Sequence, residues 1–262
     1  YYDRPLGFYE KEFDDSQWVD FPVPGLFELN GYGDRIYTNV TYPWNNDPCI
    51  DPPYIGEREN YVGSYRRSFR IPADWKGQSV IMHVGSATSN LRLWVNGQYV
   101  GYSEDSKMEA EFDITDFVEF GRDNLIAMQV MRWCDGSYLE DQDFWRFTGI
   151  APEVYLYSRP ERHIQDYGII TKLDDKYRNA KLELNLRLEG QQPGGLELRL
   201  LDAEGNQVLK SQNIFREGGT TMRLSFDVTN PKKWTAETPF LYTLEMNLID
   251  NSGKTIECVD QK

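Results

Sequence analysis

The stretch Ala180-Lys181-Leu182-Glu183-Leu184-Asn185-Leu186-Arg187-Leu188 decides the fold class. An apolar residue stands at every second position, and a polar residue fills each gap. Successive side chains of a strand point to opposite faces, so this run is a half-buried β-strand; a helix would scatter its leucines around the whole circumference. The same alternation recurs in Leu196, Leu198 and Leu200, in Met222, Leu224, Phe226 and Val228, and in Phe240, Tyr242, Leu244, Met246 and Leu248. Turn-forming residues separate these runs: Pro193-Gly194-Gly195, Glu204-Gly205-Asn206, Gly218-Gly219 and Asn251-Ser252-Gly253. Roughly seven short strands in about 100 residues fit an immunoglobulin-like sandwich.

Upstream the pattern is also β, but rougher. Tyr65, Arg67, Phe69 and Ile71 alternate with Arg66, Ser68 and Arg70. Residues 79–84, 125–131 and 153–157 read as further strands. Leu91, Leu93 and Val95 alternate with Arg92 and Trp94; Asn96-Gly97 then supplies the two positive-φ positions of a tight hairpin, with residues 99–102 returning. Trp94 faces away from Leu93 and Val95, either exposed or covered by another domain. Residues 113–120 hint at one helical turn, capped by Asp113 or Thr115. Residues 20–61 form a long stretch rich in proline, including Pro22, Pro24, Pro43, Pro48, Pro52 and Pro53; so long a loop in a compact domain is usually functional. The character changes near Ser158-Arg159-Pro160. The sequence therefore predicts two all-β domains, 1–160 and 161–262.

Composition narrows the function. A net charge of −14 over 262 residues disfavours nucleic acid and anionic membrane as partners. No apolar run reaches transmembrane length. The three cysteines, Cys49, Cys134 and Cys258, form neither a disulfide framework nor a CxxC zinc pair, and read as free thiols. His83 and His163, the two histidines, stand in no metal-binding spacing.

One segment carries chemistry: Arg132-Trp133-Cys134-Asp135-Gly136-Ser137-Tyr138-Leu139-Glu140-Asp141-Gln142-Asp143-Phe144-Trp145. Carboxylates accept hydrogen bonds from hydroxyls, and flat rings cover the apolar face of a pyranose. On composition alone a solvated acidic loop with core aromatics is the simpler reading.

Four segments resemble glycoside hydrolase family 2, and within it the large bacterial β-galactosidases. Phe13-Asp14-Asp15-Ser16-Gln17-Trp18 with Val23-Pro24 is similar to the family's opening motif. Gly31-Tyr32-Gly33-Asp34-Arg35-Ile36-Tyr37-Thr38-Asn39-Val40-Thr41-Tyr42-Pro43 is similar to its second. The acidic–aromatic segment, running on into Arg146, Gly149 and Ile150, matches the third almost residue for residue. Asn230-Pro231-Lys232-Lys233-Trp234, with Glu237, Pro239 and Leu241-Tyr242, resembles the fourth.

The resemblance implies a jelly-roll (galactose-binding-like) sandwich followed by an immunoglobulin-like β-sandwich. In the family a catalytic (β/α)₈ barrel follows and holds both catalytic glutamates, which must flank the scissile bond. No catalytic residue is therefore assigned here, and residues 1–262 alone are expected to be inactive. The strand that usually precedes the first motif has no counterpart, so the front is expected to be trimmed. Carried over by motif, Asn39, Val40 and Asp143 are the implied substrate-binding residues, and Asp143 is also a ligand of a shared sodium ion; magnesium is expected only in the barrel. The implied partners are a β-galactoside sugar, the barrel, and further copies in a homo-oligomer. The connection at residues 211–219 is shorter than in some tetrameric members, which argues against the same tetramer. Asp135, Glu140 and Asp141 are expected to fix the loop through backbone N–H groups and Arg132 or Arg146, and Trp133 and Trp145 to lie in the core. Alternative readings are an independent pair of carbohydrate-binding modules, or the same domains from a β-glucuronidase or β-mannosidase. The compartment, periplasmic or cytoplasmic, is left open.

Overall fold

The computed structural model describes residues 1–44, 51–57, 59–190, 194–215 and 220–262. Pro48, Cys49, Pro193 and the 216–219 portion of the connection read above lie outside the described residues. Almost all regular structure is β. The chain divides into two compact units, Tyr1–Ser158 and Arg159–Lys262.

The second unit has the immunoglobulin-like layout. Three antiparallel strands, His163–Leu173, Ala180–Glu189 and Thr221–Val228, form one sheet. Gln207–Phe215, Gly194–Leu201, Thr243–Asp250 and Thr255–Gln261 form the other, in that order. The alternating leucines do what their spacing requires. Leu182, Leu184, Leu186 and Leu188 are buried and meet Leu196, Leu198, Leu200, Met246 and Leu248 of the facing sheet. Burying each such side chain stabilises the fold by roughly 1.5–3 kcal/mol. One boundary differs from the sequence reading. The strand begins at Thr243, so Phe240 and Tyr242 lie ahead of it. There the Tyr242 hydroxyl accepts the Lys232 N–H at 2.9 Å and holds the 230–234 loop.

The first unit is a jelly-roll sandwich. Its larger sheet runs Val62–Arg70, Asp123–Met131, Leu91–Val95, Gln98–Ser103. The opposing sheet runs Val154–Arg159, Ser79–Val84, Ala110–Asp113. Leu91, Leu93, Val95 and Val130 from the first pack on Val80, Met82 and Val84 from the second. The Asn96-Gly97 hairpin has φ of 51° and 82°, the positive values that this tight turn demands. The helical turn is a short 3₁₀ segment, Thr115–Phe117, and the Asp113 carboxylate accepts the Thr115 N–H at 2.9 Å.

Trp94 is covered, but by the unit's own N-terminal segment. Tyr9 stacks on it at 5.2 Å between ring centroids, and Phe8 meets it edge-on at 5.4 Å. The same segment is tied to the sheet by Arg66, which donates to the Asp15 carboxylate at 2.7 Å and to the Phe8 and Glu10 carbonyls.

Candidate functional site

The second and third motifs, far apart in the chain, meet in a two-stranded ribbon. Ile36–Thr38 pairs antiparallel with Phe144–Arg146, with Tyr37 opposite Trp145 and Thr38 opposite Phe144. Asn39 and Asp143 are the residues just beyond the last pair, Thr38 and Phe144. Period-two alternation then sorts the side chains. Ile36, Thr38, Phe144 and Arg146 turn inward and are wholly or partly buried; Tyr37, Asn39, Asp143 and Trp145 are exposed.

The outer face combines polar and flat apolar groups. Trp145 is 53% exposed and Tyr37 51%. Their rings lie 5.5 Å apart, and Trp145 stacks on Phe147 at 5.9 Å. The Tyr37 hydroxyl donates to Asp143 Oδ1 at 2.5 Å, and this bond, more than burial, raises the Tyr37 phenol above its ordinary pKa. Among the described residues no other hydrogen bond or ion pair reaches the Asp143 carboxylate. Val40, the next residue, is 86% exposed. The expectation of Trp145 as a core residue is thus corrected. The ribbon has one sheltered face, and the register puts Trp145 on the other.

The inner face shows why the ribbon holds its shape. Arg146, 5% exposed, is surrounded by acceptors. Its Nη2 lies 2.6 Å from Asp141 Oδ1, 2.7 Å from the Gln142 carbonyl and 2.9 Å from Thr38 Oγ1, while Nε reaches Thr38 Oγ1 at 3.2 Å. One guanidinium therefore ties down the residue before Asn39 and the residue before Asp143. Its plane also lies over the Phe144 ring, 4.1 Å from the centroid. A planar fork suits this cluster in a way that a lysine would not.

The rest of the acidic segment is architecture. Residues Asp135–Tyr138 form a 3₁₀ turn. Glu140 accepts the Ser106 N–H at 3.1 Å and also its hydroxyl. Asp141 pairs with Arg146, as expected of it. Asp135 departs from expectation: it is exposed and reaches neither arginine. It lies instead beside Glu104 and Cys134, the one close cluster of potential metal-ligating side chains among the described residues. Burial is the main cause that raises the Glu104 carboxyl above the ordinary range, and Asp135 adds to it. Arg132, 1% exposed, donates to the Asp34 carbonyl at 2.6 Å, between the rings of Tyr61 and Trp133. That bond anchors the loop entering Ile36–Thr38. Trp133 packs against Trp44, which stacks on Tyr42, so the loop leaving the ribbon is held too.

A cavity of about 30 Å³ lined by Ser106, Lys107, Glu140 and Arg146 has room for about one water. A groove of about 680 Å³ opens in the second unit, lined by Trp234, Phe240, Leu241 and lysines, with Thr171, Tyr242 and Gln261 as its polar uncharged groups and no Asp or Glu among the described residues that line it. The outer face of the ribbon is open to solvent, with Tyr37, Asn39, Asp143 and Trp145 exposed on it. The structure exposes the sequence-named Asn39, Val40 and Asp143 at this ribbon, together with Tyr37, which the sequence reading gave no role, and Trp145, which it placed in the core. Their signal was present: both motifs read as short alternating strands once they are paired.

Comparison with known proteins bears on this geometry. The model of the glycosyl hydrolases family 2 sugar binding domain matches residues 3–160, and that of glycosyl hydrolases family 2 matches residues 162–262. Similar sequences include a β-galactosidase of Priestia megaterium, 40% identical over 262 residues, and one of Clostridium acetobutylicum, 41% identical over 256. Each alignment covers 97% of this chain but 25% and 28% of the respective relative, so the chain spans about a quarter of the length of these curated relatives. Among solved structures, a Bacteroides uniformis β-glucuronidase superposes with a TM-score of 0.79 at 22% identity, covering 98% of this chain and 30% of that one. A Bacteroides vulgatus β-glycosidase gives 0.76 at 24%, covering 99% and 31%. At that identity the likeness is one of fold. The chain belongs to glycosyl hydrolase family 2.

Proposed function

We propose that these two units are the non-catalytic front part of a β-galactosidase, and that the ribbon supplies one wall of its galactose subsite. The observation that carries this reading is the outer face. There Asn39 and Asp143 flank the end of the paired ribbon, just beyond Thr38 and Phe144, beside two exposed rings. An amide both donates and accepts, a carboxylate accepts from hydroxyls, and the rings offer an apolar surface for sugar C–H groups. Val40 extends that apolar surface. The similar β-galactosidases favour galactose over the glucuronide of the structural neighbours, which share fold alone.

The two carboxyls that break the glycosidic bond are assigned to a further (β/α)₈ part, against which the ribbon's open face would complete the subsite. Asp143 also fits a sodium site: its second oxygen has no protein partner among the described residues, and hard cations take oxygen ligands. Bound there, the ion would supply a fixed positive charge to sugar hydroxyls. This chain would contribute one carboxylate to it, the other ligands coming from elsewhere. Assembly into a homo-oligomer belongs to the same proposal. No helix among the described residues is long and apolar enough to cross a membrane.

The test separates a half-site from a whole one. Residues 1–262 alone should not hydrolyse a chromogenic β-galactoside and should bind galactose more weakly than millimolar. Turnover that survives repurification would refute the division of labour, and a micromolar dissociation constant by calorimetry would favour an independent binding module.

A further inference from the structure

Tyr37 belongs to the second motif, but neither the motif match nor the sequence chemistry gave it a task. Its ring and its hydroxyl do different things. The ring lies beside Trp145, its partner across the ribbon. The hydroxyl spans the diagonal to Asp143 Oδ1 at 2.5 Å, at the short end of the range for an O–H···O⁻ bond. Both partners are exposed, so no buried pocket forces them together. Asp143 lies one residue outside the paired strand, and its side chain has no second tether among the described residues. Without the phenol the carboxylate would be free to rotate. With it, one oxygen is occupied and the other is presented in a fixed direction.

We infer that Tyr37 is a positioning residue: its hydroxyl holds Asp143 Oδ1 so that Oδ2 faces a sugar hydroxyl on the outer face of the ribbon. The inference rests on the reading of Asp143 as a sugar contact. Ordering a side chain before the ligand arrives removes an entropic penalty from binding.

The experiment uses the full-length protein that carries these residues, with Tyr37→Phe, Asp143→Ala and the double variant. Tyr37→Phe keeps the ring and removes only the hydroxyl. It should lower kcat/KM for an aryl β-galactoside roughly 10-fold, consistent with loss of one charge-assisted hydrogen bond acting indirectly. In the Asp143→Ala background the same change should have almost no effect, because Tyr37 acts through Asp143. A series of monodeoxygalactosides adds a readout that general loosening would not move. The hydroxyl whose removal erases the Asp143→Ala effect should also erase the Tyr37→Phe effect. Equal losses from Tyr37→Phe in both backgrounds, or no loss in either, would overturn the inference while leaving the Asp143 reading intact. If Asp143→Ala itself is silent, the reading beneath it fails first. An unchanged melting temperature for Tyr37→Phe checks that folding is not what is being measured.

Discussion

The Arg159–Lys262 unit and the ribbon of the Tyr1–Ser158 unit both rely on aspartates, to opposite ends. In the second unit Asp174, Asp202 and Asp250 each start a turn between neighbouring strands. Asp174 accepts the N–H groups of Lys176, Arg178 and Asn179, Asp202 those of Glu204 and Asn206, and Asp250 those of Ser252 and Lys254. Each carboxylate is consumed locally within five residues of itself. In the ribbon, Asp141 is likewise spent within its own segment, on Arg146, but Asp143 looks across the strand pairing to Tyr37, 106 residues away in the chain. The first pattern closes turns and leaves little for a ligand. The second leaves a carboxylate oxygen open at the surface, held by groups that do not themselves saturate it.

The contrast should be sharpest when a core leucine and a ribbon aspartate are compared. Leu184→Ala should destabilise the second unit by about 2–5 kcal/mol, the usual range for a large-to-small change at a fully buried site. Urea unfolding should record that loss, with kcat/KM of the full-length protein unchanged at temperatures where it stays folded. A parallel fall in kcat/KM would break the separation of roles.

Asp143→Asn should do the reverse: no measurable shift in the unfolding midpoint, and a loss on the order of 10²-fold in kcat/KM, the scale of a well-placed polar contact to a substrate hydroxyl. Dependence of activity on sodium should weaken with it. Asn39→Ala should give a smaller loss in the same assay, since a neutral amide makes weaker hydrogen bonds than a carboxylate. If Asn39→Ala were the more damaging change, the amide and not the carboxylate would be the principal contact.

Acid should expose the second unit's use of its aspartates. Hydrogen bonds within each turn depress Asp174, Asp202 and Asp250 below the ordinary carboxylate value of 3.8, with a side-chain contribution from Asn206 leading for Asp202 and from Ser252 for Asp250. A depressed folded pKa means that the stabilisation is full above the ordinary value and is lost as pH falls through the depressed one. Calorimetric melting followed downward from pH 5 should show the second unit weakening below about pH 4, as those carboxylates take up protons. Replacing all three by asparagine should flatten that slope. All three groups are exposed, so the effect should be the smallest of the set, and a slope left intact by the triple change would place the acid sensitivity elsewhere.

Legibility in the sequence followed the same divide. The second unit could be read because each strand's burial pattern is local: Leu182, Leu184, Leu186 and Leu188 declare their face without reference to any partner. Two of its turns were marked as plainly, by Glu204-Gly205-Asn206 and Asn251-Ser252-Gly253, whereas Gly194 and Gly195, read as turn residues, stand in the strand Gly194–Leu201, and the turn at Asp174 was not read. The short Ile36–Thr38 strand could not be read as one, since three residues among prolines carry too little alternation and its partner is over 100 residues away. The outward facing of Tyr37 and Trp145 was missed for that reason. Asn39 and Asp143 were reached by motif resemblance; periodicity never pointed to them. Asp135 was misplaced because composition cannot say which of several adjacent carboxylates faces an arginine. The N-terminal covering of Trp94 was missed because residues 1–20 form no strand and reveal no face.

The Arg146 clamp has a consequence for how this region can vary in length. Its guanidinium reaches back to Gln142 within its own segment and across to Thr38 on the other, so it gauges the number of residues between fixed points. Inserting or deleting a single residue between positions 142 and 146 would shift the strand by one. In a structure of period two, that turns every side chain over. Asp143 and Trp145 would be carried to the sheltered face and an apolar residue set in their place. Substitutions in the ribbon can therefore be graded, some mild and some severe, but changes in length there should be all-or-none. The turns at Asp202 and Asp250, which measure nothing beyond themselves, should accept added residues freely.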